Sequence, residues 1–388
     1  MIEDSIRVQL GDGRDITRFV KSYQIDSDYT TSTDQVNLSL YSEEPTDLAD
    51  LLLQTVDVSI NGRPQFLGRI ETRDIGGDGT VVNVSGRDYI SEMVECHIDP
   101  SIKISEGEQL GSLLQRACAP VGISQVVDDA DVRMRTVRSG ESKSSPGPRG
   151  MSRTVSKGDM KPEPGQGLYD WCFRIAARVG GCTIQPGEKR SQLVLSKPHY
   201  DQEASHSLVR GLQKNTENNI VSAILHQDLS SFPTHVVAVG KLGDTGRTKQ
   251  SANESYDTEW LNPAETTGQR IYRGRRKPTE GPKSNEQQMY RLHYLRDEQC
   301  RSQLELSNLA ARHLAEKLRM SAEYEITLQG HSDPKTDALW AIDTIIAVED
   351  EVCGIDEELW VCSRNFSYAE GQGSTTTLRC WRPWSFVI

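Results

Sequence analysis

The run Arg379-Cys-Trp-Arg-Pro-Trp384 near the end of the chain sets a thiol and two guanidinium groups beside two indoles. Such a set offers either a nucleophile beside cations or a platform that stacks on a planar ligand. Period-two alternation puts Thr376, Leu378 and Cys380 on one face and Thr375, Thr377, Arg379 and Trp381 on the other. Cys380 therefore reads as core of a last strand, which Pro383 must stop. Trp381 and Trp384 are left as packing or partner contacts at the strand end. Cys172 lies on the stripe Leu168, Trp171, Cys172, Ile175, Ala176 and Val179, whose helical phase turns it into a core.

Metal chemistry finds little support. Cys96-His97 is the one adjacent Cys/His pair, and no further Cys or His stands at ligand spacing from it. The histidines at 97, 199, 206, 226, 235, 293, 313 and 331 show no ligand periodicity. Asp26-Ser-Asp28 and Asp128-Asp129-x-Asp131 present oxygen ligands but lack the glycine and distal glutamate of a calcium loop, so they read as turn or cap acids. Phosphate-loop, dinucleotide, zinc-protease and serine-hydrolase signatures are missing. No catalytic residue, cofactor site or metal site is expected, and the chain is not expected to be an enzyme.

The sharpest charged motif is Arg270-Ile-Tyr-Arg-Gly-Arg-Arg-Lys277. Arg270, Arg273, Arg275 and Arg276 suit phosphate or base contacts, but equally the acids of a neighbouring subunit. With 56 Asp+Glu against 44 Lys+Arg and a net charge of -12, the second use is more economical. The same charge argues against general affinity for nucleic acid. A second basic stretch, Arg133–Lys161, is opposed only by Glu141 and Asp159 and carries Ser-Pro-Gly-Pro-Arg-Gly, a loop composition.

These residues need elements to hold them. Ser5-Ile-Arg-Val-Gln-Leu10, Val36–Tyr41, Val56–Ile60, Phe66–Thr72 and Thr80–Ser85 read as strands, with Asn61-Gly62 as a hairpin turn. Ser105–Glu108 fits a capping box ahead of a helix through Leu110, Leu113, Leu114, Ala117 and Cys118, ended at Gly122. A second helix over Leu168–Val179 and a hairpin through Cys182–Ile184 and Gln192–Ser196 repeat that helix–strand plan. Ile220–Leu225 and Thr234–Val239 return to strands, and residues 241 to about 298 show no clear periodicity. Gln299–Ala322 reads as a helix, and Tyr324–Gln329, Thr344–Val348, Leu359–Ser363 and Thr375–Cys380 as closing strands. Strand, connection, strand, glycine turn, strand thus occurs twice, at 56–85 and 344–380.

The expected fold class is α+β, mainly β: two small β-barrels flanking an α/β insertion, with one long helix before the final strands. The expected units are 1–95 (first barrel), 96–205 (insertion, with a mobile loop about 138–166), 206–240 with 323–388 (second barrel), and 241–322 (extended arm plus helix). Eight cysteines without a C-x-x-C pair read as buried thiols. With no apolar run long enough to span a bilayer and no signal-peptide N-terminus, synthesis in the cytoplasm and no stable membrane insertion are expected.

Four stretches carry a resemblance. They are Phe66–Glu71 with Val84–Cys96, Asn219–Phe232 running into Val236–Gly240, Met320–Gly330, and Ala338–Val348 with the closing hairpin. In this order they resemble baseplate hub proteins of contractile-tailed bacteriophages, especially the Mu-like late control D family. The resemblance covers nearly the whole chain, apart from 241–291 and the loop near 138–166. It implies two tail-tube-like barrels per subunit and a homotrimer forming a pseudo-sixfold ring. Such a ring would join the sixfold tail tube to the threefold central spike, among other baseplate proteins, and line part of a DNA channel in the virion. The hub of a phage-derived injection particle or secretion device fits the same architecture. A tail-associated peptidoglycan hydrolase would need a carboxylate pair or Cys/His pair that is not found, and a carbohydrate-binding adhesin would need exposed aromatics.

Overall fold

The computed structural model describes residues 4–77, 79–105, 108–128, 161–177, 181–213, 218–228, 230–233, 235–241, 248–255, 291–297 and 303–383. The N-terminal strands are β1 (Ile6–Leu10), β2 (Val20–Asp28), β3 (Gln35–Tyr41), β4 (Thr55–Ile60), β5 (Arg63–Ile75) and β6 (Val81–Asp88). Alternation fixes their faces. Val36, Leu38 and Leu40 of β3 are buried, as are Val56, Val58 and Ile60 of β4, while the residues between them face outward. The β4–β5 turn is Asn61-Gly62 with φ of 51° and 74°, the left-handed pair that a two-residue hairpin demands. At Gly68 of β5 an added Cβ would meet the Arg87 carbonyl oxygen of β6 at 2.2 Å, so no larger residue fits that crossing.

Next come α1 (Ser91–Glu95), α2 (Leu110–Cys118), β7 (Gln125–Asp128), α3 (Leu168–Ile175), β8 (Thr183–Pro186) and β9 (Gln192–Ser196). The strands form a sheet in the order β7-β9-β8. Leu110, Leu113, Leu114, Ala117 and Cys118 of α2 meet Leu168, Trp171, Cys172 and Ile175 of α3 in one core. The expected capping box is displaced. Glu108 does accept from Ser105 N at 3.0 Å, but the helix begins at Leu110 and Gln109 caps nothing through its side chain. The Ser105–Glu108 bond closes a turn upstream, and Glu108 also pairs with Arg116 at 2.6 Å.

The remaining elements are β10 (His206–Arg210), β11 (Ile220–Gln227), β12 (His235–Lys241), β13 (Thr248–Ser255), β14 (Leu292–Asp297), α4 (Gln303–Ser321), β15 (Ala322–Gln329), β16 (Thr344–Asp350), β17 (Ile355–Ala369) and β18 (Gly373–Trp381). Two of them correct the expectation that 241–298 lacks regular structure. β13 and β14 flank β12 in a three-stranded sheet, against which α4 packs Leu306, Ala310 and Leu314. Thr248–Ser255 contains no large apolar residue, so only its ladder to β12 makes it a strand.

The main sheet has twelve strands in the order β1-β4-β5-β6-β3-β2-β17-β18-β15-β11, with β16 on β17 and β10 on β16. The two expected barrels do not close within this ladder. β2 and β17 pair with each other antiparallel, from Asp28↔Ser363 to Ser22↔Ala369. At 15 residues β17 is long enough to hold β16 over Ile355–Val361 and β2 over Ser363–Ala369. The β2 edge that could close the first half is therefore spent on β17, while the outer strands of the second half, β10 and β11, meet only where Asn219 N donates to Val209 O at 3.1 Å. The core follows the ladder, since Ile25, Leu38 and Ile70 belong to the same cluster as Ile326, Ile346 and Phe366. The repeat seen in the sequence corresponds to two antiparallel meanders, β4-β5-β6 and β16-β17-β18.

Candidate interaction surface and the joint behind it

The run at the chain end is built inward. Leu378 and Cys380 of β18 are 1% exposed, and burial pushes the Cys380 thiol well up, which removes it as a nucleophile at neutral pH. Trp381 is 5% exposed, its ring centroid 6.0 Å from Trp360 and the Arg319 guanidinium 4.9 Å above it. The ring is thus largely covered by its own chain. Trp384, Arg270, Arg273, Arg275 and Arg276 lie outside the described residues. Cys172 is fully buried on α3. Among the described residues no three His, Cys, Asp or Glu side chains converge as metal ligands. Asp28 accepts from Thr30 N and Oγ1 at 2.7 Å as a turn acid, and Asp26 accepts from the Asn365 side-chain amide across the β2–β17 seam.

That seam holds a buried polar joint which the sequence reading missed. Arg364, 7% exposed, donates through Nη1 to Trp340 O at 2.9 Å and through Nη2 to Ser27 Oγ at 3.2 Å. Its guanidinium also lies 4.1 Å above the Phe366 ring. Burial pulls the Arg364 pKa down to about 10. Nearby, Asp34 donates its N–H to Asp88 Oδ2 at 2.9 Å, and Asp88 N donates back to Asp34 O at 3.1 Å. Asp88 Oδ1 accepts from Ile90 N at 2.9 Å at the start of α1. Burial raises the Asp34 carboxyl to about 6 despite the Arg364 charge, and burial with the Asp34 charge raises Asp88 to about 8. The available signal was phase, because Arg364 shares its strand face with Phe366, and an arginine at an inward position needs a partner.

A second cross-link is built on His331. The Thr376 hydroxyl donates to Gly330 O at 2.7 Å, so His331 Nδ1, 3.1 Å from Thr376 Oγ1, must be the protonated ring nitrogen. Nε2 then accepts the Tyr23 hydroxyl at 2.9 Å. Burial holds this imidazole neutral, with its pKa down to about 4. His331 N also donates to Asp4 Oδ2 at 2.9 Å, which ties the N-terminal residues to the last strands. Both links join residues more than 300 positions apart.

The surface offers a sheet edge. β11 has a ladder to β15 alone; on its other side β10 meets it only at its start, where Asn219 N donates to Val209 O at 3.1 Å. Ala223 and Leu225 pack on the core, whereas Val221 is 59% and Ile224 64% exposed. The strand Ile-Val-Ser-Ala-Ile-Leu-His-Gln has none of the lysines or prolines that usually blunt a free edge. At the opposite end of the path, β1 is partly covered: Gln9 bridges Asp15, and Val8 N donates to Thr17 Oγ1 at 2.8 Å. The two edges are not equivalent.

No family model matches the sequence, and no curated protein matches it. Solved structures do match. The tail protein from Neisseria meningitidis aligns with a TM-score of 0.70 at 19% identity over 99% of this chain and 98% of its own. The 43 kDa tail protein of prophage MuSo2 from Shewanella oneidensis aligns at 0.69 and 19%, over 99% of both chains. An Escherichia coli component of the type VI secretion system, described as structurally similar to T4 bacteriophage tail proteins, aligns at 0.51 and 8%, over all of this chain and 78% of its own. At these identities the finding is one of fold: this chain has the fold of those tail proteins along its whole length.

Proposed function

We propose that the chain is a structural component of a phage-type tail, and within it the baseplate hub. The observation that carries this reading is the end-to-end likeness to two tail proteins, each covered over at least 98% of its own length. In this reading the chain forms a homotrimer. The halves around β4-β5-β6 and β16-β17-β18 act as two tube-like units per subunit, so that three chains present six similar surfaces. The ring joins a sixfold tube to a threefold spike in a contractile tail and contacts other baseplate proteins. It works in the virion after synthesis in the host cytoplasm, without chemistry of its own. A net charge of -12 suits a channel through which DNA passes without adhering. The units 1–95, 96–205, 206–240 with 323–388, and 241–322 are the proposed divisions. Arg270, Arg273, Arg275, Arg276 and Trp384 are the proposed partner contacts, beside the β11 edge, while Trp381 serves as packing within the chain.

The test is deletion of the gene in the genome that encodes it, followed by electron microscopy of the particles released. The expected result is tail-less heads, or tubes without a baseplate. Intact tails would overturn the reading. A second reading, the hub of a secretion or injection device, is favoured by the type VI secretion component at TM-score 0.51. In that case the released structures would carry no heads in the undeleted strain either.

A further inference from the structure

The second core contains a pair of thiols that no part of the hub reading uses. Cys118 is the last residue of α2 and Cys172 lies within α3. Both are fully buried, and their sulfur atoms stand 3.6 Å apart. A disulfide has an S–S distance of about 2.0 Å, so closure asks for roughly 1.6 Å of approach. The third buried thiol of this core is otherwise engaged, since Cys182 donates to Ala176 O at 3.6 Å. The two remaining thiols thus face each other with no competitor among the described residues.

We propose that Cys118 and Cys172 are a dithiol–disulfide pair, closed by exchange with a small-molecule disulfide of the glutathione class. One protein thiolate attacks a sulfur of the reagent and releases the first small thiol. The second protein thiolate then attacks the mixed disulfide and releases the other. Two protein thiols lose two protons and two electrons, and one small disulfide becomes two small thiols. The new bond ties α2 to α3 and closes residues 119–171, with the basic run Arg133–Lys161, into a covalent loop. Constraining a loop of that length narrows the unfolded ensemble and stabilises the folded one. Burial holds the Cys172 thiol well above its ordinary pKa, so the exchange is slow in the closed core and quickens as pH rises or as the core opens. The proposal is independent of what the chain assembles with.

The experiment compares the full chain held in dithiothreitol with the chain held in excess oxidised glutathione. Free thiols are alkylated after denaturation and the tryptic peptides are mapped. The expected result is an intramolecular link between the peptides carrying Cys118 and Cys172, and a melting temperature raised by several degrees. Cys172→Ala and Cys118→Ala should each abolish the link and the rise. Recovery of both thiols unlinked, while the partly exposed Cys96 and Cys353 have reacted, would overturn the proposal. So would a link from either residue to Cys182, or a link that forms only with loss of the folded signal. These readings come from the unsubstituted chain and stand whether or not the variants fold.

Discussion

Arg364, Asp34, Asp88 and His331 are where single side chains decide the behaviour of this protein. Asp88 has its pKa raised to about 8 and Asp34 to about 6, so between pH 4 and 8 the folded chain holds protons that the unfolded chain releases. Their contribution is complete below about pH 4 and is lost as pH rises through 6 and then 8. His331 acts in the opposite sense. Its folded pKa of about 4 lies below the ordinary value, so its contribution is present above about pH 6.5 and is lost as pH falls toward 4. Between pH 4 and 6 the two carboxyls outweigh the one imidazole, so the stability these three groups contribute should be highest near pH 4 and lower at pH 8. Asp88→Asn keeps an acceptor for Ile90 N and removes the ionisation. It should reduce the loss of stability between pH 6 and 9 by on the order of 1–3 kcal/mol, as read from urea unfolding at several pH values. An unchanged alkaline slope would mean that the joint does not titrate.

The β2–β17 ladder is the element that makes one body of the two halves. Because Phe366 is fully buried in the core that both halves share, Phe366→Ala should cost about 3–5 kcal/mol. Hydrogen exchange should then accelerate in β3 and β6 as much as in β15 and β18. Loss of protection confined to β15–β18 would show that the halves unfold separately. The β11 edge makes a different prediction. Ile224→Lys puts a charge on an exposed position, so melting should change by less than about 0.5 kcal/mol while self-association weakens at least tenfold in sedimentation velocity. What was readable in the sequence follows the range of the interaction. Asn61-Gly62 and the α2 and α3 stripes are local patterns, and the helices appeared where their 3.6-residue spacing put them. The pairing of β2 with β17 joins residues more than 300 positions apart and leaves no local trace. β13, without large apolar residues, is a strand only because β12 is beside it. Arg364 was legible in principle, as an inward-phased cation, but its partners Ser27 and Trp340 were not.

The whole molecule is built on a sheet with three strands laddered on one side only, β1, β10 and β11, and it shares its fold with tail proteins along the full chain. Unlike edges suit head-to-tail contact between copies, which closes into a ring when the rotation permits. The most direct measurement is the solution mass of the full chain, by sedimentation equilibrium from low to high micromolar concentration. A trimeric hub gives a species three times the 43.3 kDa chain, dominant at the high end and ring-shaped in projection. A chain that stays at 43.3 kDa throughout, or settles as a twofold dimer, would contradict it.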